Sequence, residues 1–91
     1  MEFLPLIKQL LRINHSSLDD VIKFNIAAAL QDMTEQGVDV DSQDETVTKA
    51  VELYCKWHMN HNGEADRYQK LYEGLRNTMS EQTEYRSDDN A

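Results

Sequence analysis

The chain has little of what stabilises many small proteins. Its 91 residues include one cysteine, which leaves no second thiol for an internal disulfide. A chain of this length buries only about 60–65% of its unfolded surface on folding, so an isolated copy is expected to be marginally stable without neighbouring subunits. One proline and three glycines give few interruptions of regular structure. The composition therefore predicts one small, helical domain.

Long apolar stretches and basic residues are also scarce. No run approaches the roughly 20 apolar residues that cross a bilayer, and residues 1–5 lack the basic start of a secretory signal, so we expect an intracellular protein with no membrane partner. Nine Lys and Arg residues stand against 17 Asp and Glu, for a net charge of -8. This sign opposes the phosphate contacts on which duplex DNA binding depends, and a DNA-reading function is disfavoured.

Apolar residues recur at steps of three and four along four segments, which is the period of an amphipathic helix. The sequence thus predicts an all-α domain over residues 1–80, with a short first helix beginning near Phe3 and three longer helices over about residues 18–36, 43–61 and 64–80. The predicted core positions are Leu18, Val21, Ile22, Ile26, Ala29 and Met33 in the second helix, Val47, Ala50, Val51, Tyr54 and His58 in the third, and Ala65, Tyr68, Leu71, Tyr72, Leu75 and Met79 in the fourth.

Polar residues between these segments predict where the helices begin and end. Either Ser16 or Ser17 is expected to cap the second helix, and Gly37 to end it. Ser42 with a glutamate three residues later forms a capping box for the third helix. That box accounts for the acids of residues 38–45, which lack the central glycine of a calcium loop. Asn62-Gly63 is the predicted stop of the third helix.

The second helix carries apolar residues around its full circumference. Phe24, Ala27 and Ala28 project from the side opposite its core positions, so this helix must be contacted from two directions. Two explanations stay open: it is the central helix of the domain, or these three residues meet another subunit.

Residues 55–63 gather the single cysteine, the single tryptophan and two of three histidines. On an intact helix Cys55 and His61 lie about 120° apart and about 9 Å along the axis, so they cannot join His58 on one ion. No glycine-rich turn offers an oxyanion hole to a Cys55 nucleophile. We therefore expect no metal, no cofactor and no enzymatic activity.

Charged residues of the last helix and of the following segment are candidate contacts. Arg67, Lys70 and Arg76 form a basic face that is interleaved with acids, for which a solvated mixed-charge face is the plainer interpretation and a nucleic-acid face the alternative. Residues 81–91 form an acidic, polar tail that is expected to be disordered in the free chain. Within it Tyr85 and Arg86 are residue types common in interface hot spots, so the tail is either an anchor in an assembly or a frayed terminus.

Several short sequences along the chain resemble those of one protein family. They are Leu11-Arg12-Ile13, Asp19-Asp20, Ile22, Ala27-Ala28, Ala50, Tyr54, His58, Asn62-Gly63, Asp66-Arg67-Tyr68-Gln69-Lys70, Tyr72, Leu75-Arg76 and Met79. Over nearly the whole chain they resemble the head-to-tail connector (adaptor) family of long-tailed bacteriophages and prophages, also described as DNA-packaging proteins. Trp57 and Met59 depart from the pattern, because members often place a small residue and an aromatic there.

The resemblance implies a structural protein of the virion. After synthesis in the host cytoplasm, it would assemble as a homo-oligomeric, dodecamer-like ring under the portal protein. At this head-tail junction the ring would extend the DNA channel and join head-closure or tail proteins. DNA would pass without sequence-specific binding, and whether the free chain is a monomer stays open. The residues expected to contact other subunits or the portal are Phe24, Ala27, Ala28, Arg67, Lys70, Tyr85 and Arg86. The alternative is a small helical DNA-binding or regulatory adaptor protein.

Overall fold

The computed structural model of the chain describes residues 3–42 and 45–81 and is all-α over this part. Its elements are α1 (Phe3–Leu10), α2 (Asp19–Glu35), α3 (Glu45–His58) and α4 (Ala65–Glu81), with short 3-10 turns at Val40–Ser42 and His61–Gly63. The predicted fold class is confirmed, and the predicted helix ends fall within about three residues of those observed. None of these helices combines the length and the hydropathy of a membrane-spanning segment.

Helix α3 lies at the centre of the domain and packs against each of the other three helices. Helices α2 and α4 pack mainly on α3 and only sparsely on each other. The buried residues of α3 are Val47, Ala50, Val51, Glu52, Leu53 and Cys55. The explanation that placed the second helix at the centre is therefore wrong, because α3 takes that place and α2 lies at the edge.

Most predicted core residues are buried, including Ile22, Met33 and Tyr72. Four are half-buried, namely Leu18, Tyr54, Ala65 and Leu75. Three are exposed: Val21 is 48% exposed, Leu71 is 46% exposed, and His58 is exposed. Each lies at the edge of an apolar stripe. Because α2 and α4 are covered mainly on the side that meets α3, residues at the edges of their stripes stay in solvent.

The start of α2 differs from the prediction. Leu18 occupies the N-cap position and makes no side-chain hydrogen bond to the helix. The hydroxyl of Ser17 instead hydrogen-bonds Nδ1 of His15 at 2.8 Å. Asp19, in the first turn, pairs with Lys8 of α1 at 2.7 Å and so ties the first two helices together. The side chain of Ser42, and with it the predicted capping box, lies outside the described residues, as do residues 82–91 with Tyr85 and Arg86.

Helix α2 ends at the predicted glycine. Gly37 has a φ of 86°, its N–H donates to the carbonyl of Thr34 at 3.0 Å, and the N–H of Val38 donates to the carbonyl of Met33 at 2.9 Å. This pair of bonds is a Schellman motif, and its accompanying apolar contact is supplied by Met33 and Val38, which are both buried.

Helix α1 ends in the same motif without a glycine. Arg12 has a φ of 61°, and the N–H of Ile13 donates to the carbonyl of Lys8 at 2.8 Å. An arginine thus holds a left-handed conformation that costs a residue with a Cβ about 1–2 kcal/mol. The turn leaves the Arg12 side chain exposed at the end of α1.

Two glycine substitutions should have opposite effects on stability. A Cβ added at Gly37 or at Gly74 meets no atom within 4 Å, but only Gly37 has a positive φ. Gly37→Ala is expected to lower the free energy of unfolding by about 1 kcal/mol, whereas Gly74→Ala, inside α4, should raise it by about 0.5–1 kcal/mol. Urea denaturation followed by circular dichroism measures both. A change of the same sign in the two variants would contradict this account.

Candidate interaction surfaces

The outer face of α2 is an exposed apolar surface. Phe24 is 73% exposed, Ala27 is exposed and Ala28 is half-buried. Val21, one turn earlier, joins them on the same side of the helix. We call Val21, Phe24, Ala27 and Ala28 the α2 patch. The structure thus brings the three interface candidates of this helix together and adds Val21, which periodicity had assigned to the core.

The outer face of α4 carries the other two described candidates. Arg67 and Lys70 are exposed beside Leu71 and Gly74, and these four residues, the α4 stripe, follow helical spacing along one side. The guanidinium of Arg67 donates to the carboxylate of Glu64 at 2.9 Å, and this bond raises the pKa of Arg67. The stripe is therefore a mixed surface with a basic end and an apolar middle.

A polar contact fixes α4 against α2. The hydroxyl of Tyr72 donates to Oδ2 of Asp32 at 2.6 Å, and Nη1 of Arg76 donates to the same oxygen at 3.0 Å. Burial, with the bond to Asp32, raises the pKa of the Tyr72 hydroxyl, so this group stays a donor. Arg76, grouped by sequence with Arg67 and Lys70 as a basic face, is thereby held between helices.

A cleft with three basic residues lies between the end of α1 and the α3–α4 turn. It has a volume of about 550 Å³ and is lined by Arg12, Lys56, His61 and Tyr68 together with Leu10 and neighbouring residues. No acidic residue is among the described residues that line it. We call this cavity the basic cleft. In a chain of net charge -8, it is a local reversal of charge.

The turn between α3 and α4 shapes this cleft. Asn60, Asn62 and Gly63 have φ values of 50°, 56° and 72°, and Oδ1 of Asn60 accepts the N–H of Ala65 at 3.2 Å. The helix stop predicted at Asn62-Gly63 therefore comes earlier, since α3 ends at His58 and the chain is already left-handed at Asn60. The turn carries His61 out of the helix and towards α1.

The ion pairs around Lys56 do not cancel the charge of the basic cleft. Nζ of Lys56 lies 2.8 Å from Glu52, but the same carboxylate is also 3.6 Å from Nζ of Lys49. One acid thus serves two ammonium groups. Nζ of Lys56 also lies 5.5 Å from the centre of the Tyr68 ring, so the Lys56 side chain runs beside this ring in the wall of the cleft. Arg12 forms no ion pair with any residue in the described ranges.

The three residues considered for metal or nucleophilic chemistry lie in different environments. Cys55 is fully buried, and burial, with the charge of Glu52, raises the pKa of its thiol to about 12. His58 stacks on Tyr54 and Trp57, with ring centres 4.2 and 4.1 Å apart, and loss of hydration lowers its pKa. Within residues 3–42 and 45–81, no group of three or more His, Cys, Asp or Glu has the arrangement of a metal site.

Sequence reasoning missed the basic cleft. Its residues come from two stretches that are distant along the chain, residues 10–12 and residues 56–68, and no periodic pattern links them. The available signals were Arg12, a basic residue directly after a short helix, and the run of residues 55–63, which includes Lys56 and His61.

No protein-family model, curated protein or solved structure matches this chain.

The environment of Cys55 predicts a thiol that does not react in the folded protein. At pH 8 a thiol with a pKa near 12 is almost entirely protonated, and the core excludes reagents. Ellman's reagent should label less than about a tenth of the protein in minutes, and all of it in concentrated urea. Complete labelling of the folded chain within the mixing time would contradict the burial and reopen the nucleophile hypothesis.

The contact between Asp32 and Tyr72 should be measurable by removing one hydroxyl. Tyr72→Phe is expected to lower the free energy of unfolding by about 1–2 kcal/mol, because a bond to a charged acceptor is lost. Tyr68→Phe is the matched control, since the Tyr68 hydroxyl has no hydrogen-bond partner among the described residues. Urea denaturation compares the variants, and equal losses would mean that the Asp32 bond adds nothing.

Proposed function

We propose that this chain is a self-associating structural protein and that its assembly is a head-to-tail connector ring. The observation that carries the proposal is the α2 patch, where a phenylalanine with 73% of its surface in solvent stands beside exposed apolar neighbours. An apolar surface on a small monomer marks a contact with another protein more often than it marks nothing.

Stability favours a second copy as the partner. A domain of this size has few core residues, and covering Phe24 alone would add about 1.5–3 kcal/mol of burial energy to each subunit. A ring repeats this gain at every interface. The small side chains of Ala27 and Ala28 allow a helix from the next subunit to approach closely.

The α4 stripe is a suitable surface for that approach. Leu71 offers an exposed apolar side chain, and Gly74 leaves space beside it. Because the α2 patch and the α4 stripe lie on different helices, a contact between them joins two unlike surfaces. Such heterologous contacts form a ring when the rotation between successive copies closes. The overall negative charge suits a channel through which DNA slides without being retained.

Charge placed in the α2 patch should prevent assembly without unfolding the subunit. Phe24→Glu removes the largest exposed apolar side chain and would bury a carboxylate in the interface. Light scattering over a concentration series should show oligomers for the natural chain and monomers for the variant, with unchanged circular dichroism. Gln9→Glu, which adds the same charge at an exposed position of α1, is the matched control and should assemble normally.

Two outcomes would contradict the interface assignment. One is assembly of the Phe24→Glu variant at the same concentrations as the natural chain. The other is loss of helicity in that variant, which would mean that Phe24 belongs to the core.

The connector assignment has a separate test. We expect the gene to lie beside genes for portal and major capsid proteins, and the purified chain to sediment with portal-bearing heads produced from those genes. Gln9→Glu should sediment in the same way, and Phe24→Glu should not. A chain that forms rings but never binds such heads would be an assembly subunit of another kind, which would contradict the connector proposal.

A further inference from the structure

The basic cleft gathers basic side chains whose charge the contacts within the subunit do not fully neutralise. Arg12, Lys56 and His61 converge on it from two distant stretches of the chain. Like charges gathered on one cavity repel each other, and a bound anion would relieve that repulsion. The arrangement therefore favours a ligand with several negative charges.

We propose that the basic cleft of one subunit binds the acidic segment 82–91 of a neighbouring copy. Within that segment Glu84, Asp88 and Asp89 supply three carboxylates against the one guanidinium of Arg86. Arg12 is exposed at the end of α1 and forms no ion pair in the described ranges, so its guanidinium can pair with the carboxylates that the segment presents. This proposal rests on the proposed self-association and names a second contact that would support it.

The net charge of the chain favours this occupant over nucleic acid. Each subunit has a net charge of -8, which disfavours the approach of a polyanion, most strongly at low salt. A cleft of about 550 Å³ accommodates a few side chains rather than a duplex. A short acidic segment of the same chain avoids this difficulty, because assembly through the α2 patch brings it close at high effective concentration.

Geometry favours a neighbouring copy over the segment's own cleft. Tyr68, in the cleft, and Glu81, where α4 ends, are separated by thirteen residues of one helix, about 20 Å. The seven residues from Glu81 to Asp88 span at most about 24 Å when fully extended, so folding back would require a nearly extended chain. The segment follows the last residue of α4, whereas the cleft lies near the first turn of α4. A contact between copies would therefore join the C-terminal end of one α4 to the N-terminal end of the next.

A mixed-disulfide experiment tests contact between copies. A His61→Cys chain and an Asp88→Cys chain are mixed in equal amounts and mildly oxidised, with Cys55 protected by burial. The proposal predicts a disulfide-linked heterodimer, identified by mass spectrometry of the joined peptides. Gln9→Cys mixed with Asp88→Cys is the control, because Gln9 is exposed outside the cleft, and this pair should give at least about fivefold less heterodimer.

Peptide binding tests the charge recognition independently of assembly. A fluorescent peptide with the sequence of residues 82–91 should bind the full chain at low salt, and a peptide with its three acids changed to amides should not. Arg12→Glu should weaken binding by about tenfold or more, whereas Lys23→Glu, the same charge change on α2, should leave it nearly unchanged. Because a monomer has the cleft, peptide binding can succeed or fail separately from ring formation.

Three results would overturn the proposal. The first is equal heterodimer yield from the His61 and Gln9 variants. The second is a disulfide that forms only when both cysteines are on one chain, which would place the segment in its own cleft. The third is binding of a short DNA duplex, lost in Arg12→Glu, by a chain that does not bind the acidic peptide.

Discussion

The burial of α3 on most of its circumference is the constraint on which the rest of the structure depends. Val51 and Leu53 lie about 160° apart around α3 and both are buried, so this helix is covered on more than one side by α1, α2 and α4. With α3 in the centre, α2 and α4 have one covered side each. The outer faces of both helices, with Phe24 and Leu71, are left in solvent as a direct consequence.

The same constraint explains the polar residues of the interior. Glu52 lies on the central helix and is buried, so its charge is balanced by Lys49 and Lys56 on the same helix. Asp32 and Tyr72 join the two outer helices where few apolar contacts connect them. Polar bonds thus join the helices at the margin of the core, and the positive charge left near Lys56 becomes part of the basic cleft.

Three surfaces of the described residues have no partner within the domain and are the basis of the proposed assembly. The α2 patch is apolar, the α4 stripe combines an apolar residue with space beside it, and the basic cleft has the opposite charge to most of the chain. None of these surfaces requires a reactive group, and the one cysteine is buried with its thiol held protonated. The proposed contact with further copies would cover these surfaces. It would also add stability to a chain that is too short for a large core.

The sequence by itself determined the helices, because helical periodicity, Gly37 and the acids of the first turn of α2 act between residues near in the chain. It also identified most core positions and marked Phe24, Ala27 and Ala28 as a second apolar face. The tertiary structure decided which helix is central. The apolar stripes of α2 and α3 are both broad, and only the packing of the helices shows that α3 is covered on more sides. It decided that Val21 and Leu71 are exposed. It alone brought Arg12, Lys56 and His61 together, because contacts between distant segments depend on how helices pack and leave no period in the sequence.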